Sequence, residues 1–130
     1  MKHLERLVVC EDDADIRAIL EIALVEVAGL DVRMAHDGVQ GLALIREWRP
    51  DLVLSDVLMP NGNGTKLLEN LQADAELRDI PVVLMTARSE PKHVSAYLAG
   101  GAVDVVFKPF DPITLGDQLE SIVAGRVAKA

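Results

Sequence analysis

Five short runs of branched apolar residues recur along the chain, at Leu7 to Cys10, Val32 to Ala35, Leu52 to Leu54, Val82 to Met85 and Val103 to Phe107. An amphipathic segment follows each of them. Parallel neighbours need a long crossover between them, so strand-like and helix-like segments that alternate in this way predict a parallel α/β sheet with right-handed connections. The apolar half of the composition is mainly Val, Leu, Ile and Ala, with Phe107, Phe110, Trp48 and Tyr97 the only aromatic residues, which fits a buried sheet covered by helices. At 130 residues one domain spanning 1–130 is expected, with no linker and only a short tail after the last helix.

The helical segments have readable ends. In the first, Ile16, Ile19, Leu20, Ala23, Leu24 and Val27 share a face and Arg17, Glu21 and Glu26 lie away from it; Asp13 can cap its start and Gly29 its end. The second runs from about Asp37 to Trp48 and stops before Pro50. Asn61-Gly62-Asn63-Gly64 lacks the spacing and the lysine of a phosphate-binding P-loop and reads as a plain turn before a helix from Thr65 carrying Leu67, Leu68 and Leu71. A fourth helix places Val94, Tyr97 and Leu98 on one stripe before Gly100-Gly101, and a fifth starts near Asp111-Pro112 and repeats Leu115, Leu119, Ile122 and Val123.

Charge and cysteine usage exclude several roles. With 13 basic and 21 acidic residues the formal charge is −8, which repels nucleic acid and anionic membranes, so no direct nucleic-acid contact is expected. The single cysteine, Cys10, lies inside the first apolar run and reads as a small core hydrophobe in a reducing compartment. No apolar stretch reaches the roughly 20 residues of a membrane span, and the amino terminus turns acidic too soon for a signal peptide. A soluble, cytoplasmic protein without membrane insertion is the expectation.

Ligands of open α/β sheets bind beyond the carboxyl ends of the strands. Glu11 and Asp12 follow the first run, Asp56 the third, Thr86 the fourth and Lys108-Pro109 the fifth, so the topology gathers three carboxylates, a hydroxyl and an ammonium along one edge. Crowded carboxylates demand a positive partner, and hard oxygen donors suit Mg²⁺: Asp12 and Asp56 are the first expected ligands, with Glu11 acting directly or through water and the backbone carbonyl of Leu58 completing the protein share. Zinc is disfavoured because His3, His36 and His93 show no ligand spacing and read as surface residues. A carboxylate whose charge is offset in this way can attack phosphorus; Asp56 is the expected nucleophile, Lys108 the counter-cation and Thr86 a donor to a phosphoryl oxygen.

The segments Val8-Val9-Cys10-Glu11-Asp12-Asp13-Ala14-Asp15-Ile16-Arg17, Pro50 to Pro60 with Asp56, Leu84-Met85-Thr86-Ala87 and Lys108-Pro109-Phe110, in this order and spacing, resemble the receiver domain of two-component response regulators, of the chemotaxis-regulator kind. The resemblance covers essentially the whole chain. It implies a flavodoxin-like (βα)5 fold, a doubly wound parallel sheet with strand order 2-1-3-4-5, and a cis Lys108-Pro109 bond. It implies Mg²⁺ at the acidic pair Glu11 and Asp12, and phosphotransfer to Asp56 from a sensor histidine kinase or a phosphotransfer protein. Thr86 would be the switch hydroxyl and Lys108 the phosphate-binding cation, in a signalling domain with at most self-catalysed phosphorylation and dephosphorylation. A downstream effector, or a second copy forming a homodimer, would read the surface of the fourth helix, fifth strand and fifth helix. Leu58 and Arg88 stand where relatives tune dephosphorylation.

One position departs from the family. Relatives usually carry Tyr or Phe three residues before the lysine, and here Val105 stands there, with no ring to relocate as the threonine moves. Phe107 is read as facing away from Val105 and so as no substitute. Two alternatives stay open: a receiver-like interaction module that needs no phosphate, and a phosphohydrolase using an aspartyl-phosphate intermediate, which would want a second acid two residues after Asp56, where Leu58 stands.

Overall fold

A computed structural model describes residues 3–59 and 63–129, with side chains through Arg126. Asn61 and Gly62 of the expected turn, and Pro60, fall outside the described residues. Among the described residues, five parallel strands form one sheet in the order β2-β1-β3-β4-β5, with β1 at Arg6–Cys10, β2 at Asp31–Ala35, β3 at Leu52–Asp56, β4 at Val82–Thr86 and β5 at Asp104–Phe107. The helices are α1 (Ala14–Glu21, continued as a π-helical segment over Ile22–Val27), α2 (Gly38–Trp48), α3 (Gly64–Ala73), α4 (Pro91–Ala99) and α5 (Leu115–Lys129). This is the doubly wound, flavodoxin-like (βα)5 arrangement.

Strand periodicity splits the core in two. Leu7, Val9, Leu52, Leu54, Val83, Met85 and Val106 face one way and meet Leu20, Ala23 and Leu24 of the first helix and Leu115, Leu119 and Val123 of α5. Val8, Cys10, Val53, Leu84 and Val105 face the other way and meet Ile45 of α2, Leu67, Leu68 and Leu71 of α3 and Tyr97 of α4. Every residue of β3 and β4 is buried. Continuous apolar runs without polar alternation are what two covered faces require. Among the described residues no helix is long and apolar enough to cross a membrane.

The caps act as the side chains dictate. Asp13 accepts from the N–H groups of Asp15 and Ile16, Asp37 from that of Gln40, and Asn63 from that of Lys66, each satisfying an otherwise unpaired donor of a first helical turn. Trp48 is half-buried at the end of α2, with the guanidinium groups of Arg6 and Arg33 over its ring at 5.4 and 4.5 Å from the ring centre. His36 is exposed, and His3 and His93 are half-buried.

Several local expectations are corrected. Ile19 and Val27 are 43% and 47% exposed rather than on the buried face. Closure by i→i+5 bonds over Ile22–Val27, with Ala28 N–H on the Ala23 carbonyl, puts more residues into each turn and rotates Val27 back to the rim that Ile19 occupies. Leu98 is exposed while Tyr97 is buried, because the short α4 meets the sheet along a narrower stripe than Val94, Tyr97 and Leu98 together would need. The fifth helix begins at Leu115, since Asp111 first closes a turn by accepting from the N–H groups of Ile113, Thr114 and Leu115. The expected tail is taken up by α5, which runs to Lys129. Phe107 shares the face of Val105, two residues away, with Val106 on the opposite face; it lies at the strand tip where helix cover ends and stays exposed.

Candidate functional site

Glu11 ends the first strand's run with its N–H on the Ala35 carbonyl of β2 at 2.9 Å, which fixes the start of the loop into α1. Asp56 is the last residue of β3, the central strand, whose paired neighbours are β1 and β4. Lys108 follows β5, across a cis peptide bond from Pro109, with its N–H on the Thr86 carbonyl at 2.9 Å. The lysine side chain crosses β4 to reach the centre: Nζ lies 2.8 Å from Asp56 Oδ2 and 3.3 Å from Glu11 Oε2.

The acidic pocket is drier than an edge cluster of carboxylates would be on an open surface. Glu11 is 1% exposed and Asp56 8%, whereas Asp12 is exposed. One carboxylate oxygen from each of Glu11, Asp12 and Asp56 lies within 4.8 Å of the others, so these three can hold one metal ion. Burial, and then the hydrogen bond and charge of Asp56, push Glu11 up to about 7, against the pull of Lys108 and of the Asp13 N–H. For Lys108, burial acts to lower the pKa, but the hydrogen bond and charge of Asp56 and those of Glu11 outweigh it and the pKa rises, so the ammonium stays protonated. Two buried acids sharing one ammonium, with a third acid open to solvent, leave negative charge that a hard divalent cation such as Mg²⁺ fits.

Thr86 is buried at the end of β4, its hydroxyl oxygen accepting from the Arg88 N–H at 3.0 Å and its proton left to donate elsewhere. Leu58 donates its N–H to Asp56 Oδ1 at 3.4 Å, while its side chain is exposed. The sequence-stated set of Glu11, Asp12, Asp56 and Lys108 is therefore brought together, with Thr86 one strand over and Leu58 in the loop beyond.

Three further residues at the site were given no role there by the sequence. Arg17, read as lying off the apolar face and as the end of the receiver-like segment from Val8, donates from Nη1 to the carbonyl oxygens of Glu11 and Asp12, both at 2.8 Å. Ser55 is fully buried and donates to the Asp56 carbonyl at 3.0 Å. Gly64 donates its N–H to the Val57 carbonyl, and a Cβ built on it would collide with the carbonyl oxygen of Asp56. The signal for Gly64 lay in the Asn-Gly-Asn-Gly run, where close backbone approach is a standing reason for glycine.

The sequence pattern of the response regulator receiver domain matches residues 7–120. The chain is 39% identical over 108 residues to the DNA-binding response regulator MtrA of Mycolicibacterium paratuberculosis, an alignment covering 83% of this chain and 46% of that protein. The chain thus spans about half the length of the curated relatives it matches. Among solved structures, the chemotaxis response regulator CheY4 of Vibrio cholerae superposes with a TM-score of 0.84 at 28% identity, covering 92% of this chain and 98% of that one. The signal receiver domain of a signal transduction histidine kinase from Syntrophus aciditrophicus gives 0.82 at 31% identity, covering 93% and 91%. With the strand order, the edge-gathered acids and a family match over nearly the full length all in agreement, the chain belongs to the response regulator receiver domains of two-component signalling.

Proposed function

We propose that Asp56 accepts a phosphoryl group from a sensor histidine kinase or a phosphotransfer protein, with Mg²⁺ held by Glu11, Asp12, Asp56 and the backbone carbonyl of Leu58. The observation that supports it best is Lys108 Nζ between two buried carboxylates, 2.8 Å from Asp56 and 3.3 Å from Glu11. When bound, the metal would offset charge on the phosphoryl oxygens and on the attacking carboxylate. An Asp56 carboxylate oxygen attacks phosphorus, the bond from phosphorus to the donor breaks, and its electron pair leaves with the donor. Lys108 exchanges part of its contact with Asp56 for a phosphoryl oxygen, and the Thr86 proton donates to another.

The new negative charge draws Thr86 and the loop behind it inward and biases the surface made by α4, β5 and α5 toward a downstream effector or a second copy. The domain is a signalling device rather than a turnover enzyme: Leu58 offers no acid or base where a phosphohydrolase would need one. Its charge of −8 supports a role without direct nucleic-acid contact, and the cytoplasm is the compartment proposed. Incubation with Mg²⁺ and a small acyl-phosphate donor should add the mass of one phosphoryl group. No adduct, or an undiminished one in Asp56→Asn, would defeat this reading.

Val105 motivates a second reading, an interaction module indifferent to phosphate. It is buried beside Leu84 and Tyr97 in the cluster under α4, so the strand position that carries a movable ring in relatives is here a small packed side chain. Equal affinity for a partner with and without beryllofluoride would favour this second reading.

A further inference from the structure

We propose that Arg17 is a positioning residue for the cation site, acting through the loop that carries Glu11 and Asp12; this rests on the reading that the three carboxylates bind Mg²⁺. The loop has few other ties. Glu11 is anchored by its N–H to Ala35, and Asp13 by its capping of α1 and by its N–H to Glu11 Oε1 at 3.3 Å. Asp12 lies between them with an exposed side chain. Among the described residues, the single hydrogen bond that reaches Asp12 is the one its carbonyl accepts from Arg17 Nη1 at 2.8 Å. The same nitrogen donates to the Glu11 carbonyl at 2.8 Å, so one guanidinium nitrogen ties the two consecutive carbonyls together.

Arg17 is itself well founded. Its backbone N–H bonds the Asp13 carbonyl at 2.9 Å in the first turn of α1, and its side chain is half-buried. Turning both carbonyls toward the helix fixes the two peptide planes, and with them the directions of the Glu11 and Asp12 side chains. Without the clamp, Asp12 would have to be ordered by the metal, and binding would bear that entropic cost.

The sign of the effect separates positioning from simple electrostatics. A positive charge this close to the acidic pair repels a cation, so if its field were the dominant influence, its removal would tighten Mg²⁺ binding. Positioning predicts the reverse. Arg17→Met retains the aliphatic stem and removes the donors; calorimetric titration of the unphosphorylated protein with MgCl₂ should show Kd weakened about tenfold, as for loss of a group that orients metal ligands. Arg17→Lys, which restores donors to the same carbonyls, should recover at least half of that change on a logarithmic scale. In an Asp12→Ala background, Arg17→Met should change Kd less than threefold, because Glu11 is also held by its N–H on Ala35 and by Lys108, and Asp12, the ligand that depends on the clamp alone, is gone.

An unchanged or tighter Kd in Arg17→Met, no recovery in Arg17→Lys, or the same tenfold loss in both backgrounds would each overturn the proposal. Should Arg17→Met fold poorly, the comparison of Arg17→Lys with the wild type remains decisive: a Kd weakened as much as tenfold despite restored donors overturns it. Failure of the wild type to bind Mg²⁺ at all would instead remove the cation site itself, a result distinct from a wild type that binds and a variant that binds equally.

Discussion

Lys108 pairs with Asp56 across an intervening strand, Nζ to Oδ2 at 2.8 Å, and so joins the end of β5 to the end of β3. The lysine side chain is 20% exposed, which places this pair between a surface ion pair of little value and a sealed one. Its removal leaves Asp56 and the buried Glu11 facing each other without a cation.

Lys108→Met should therefore lower unfolding free energy by about 1–3 kcal/mol at pH 8 without metal, less than the loss typical of fully sealed pairs. The deficit should shrink at pH 6, where Glu11 takes up a proton and the repulsion falls. Urea midpoints at the two pH values check this, and the same variant should lose phosphorylation by an acyl-phosphate donor.

The Glu11 carboxyl, lifted from an ordinary 4.5 to about 7, makes both stability and cation binding depend on pH. Between these values the folded protein holds a proton that the unfolded chain has released. The stability this contributes is fully present below 4.5 and is lost as pH rises through 7. Metal-free protein should thus become easier to unfold in urea from pH 5 to pH 8, and saturating Mg²⁺ should restore the loss at pH 8. Conversely, the cation must displace this proton in acid, so its affinity should fall by up to about tenfold per pH unit below 7.

Gly64→Ala should damage both fold and site, because the new methyl collides with the backbone oxygen of Asp56 rather than with a yielding side chain. A loss of about 1–3 kcal/mol is the usual cost of such overpacking. Thermal melts and the rate of adduct formation, measured on the same preparation, should fall together.

Gly41 of α2 presents a different collision, in which a Cβ would run into the Sγ of Cys10. Burial, and then the charge of Asp37, push that thiol up to about 12 against a hydrogen bond with Ser55, so it stays neutral. Gly41→Ala should cost about 1–3 kcal/mol, and Cys10→Ala in the same chain should return much of it, since the obstructing sulfur is gone. Melting of the two single variants and the double variant reads the coupling directly.

The sheet and the main acids were legible because each depends on local pattern: branched apolar runs such as Val82 to Met85 declare covered strands, and residues just after them must lie at the carboxyl edge. What the pattern could not carry depends on three dimensions. Arg17 showed only that it lies off the apolar face, because its partners are backbone carbonyls, which every sequence has. Val27 was misplaced because helical periodicity assumes one winding throughout, and nothing in Ile22 to Val27 announces a wider one; Ile19, ahead of that segment, stands at the rim of the stripe, where periodicity alone does not say how far the cover reaches. Phe107 was placed on the wrong side of β5 although alternation itself puts it with Val105.

That wide winding begins at Ile22, after Arg17 has already made its bonds. Whatever slack it introduces into the rod is therefore spent at the far end, where Ala28 nestles over the bare backbone of Gly116. An insertion or deletion within Ile22–Val27 would be paid out toward α5, leaving the acidic rim undisturbed.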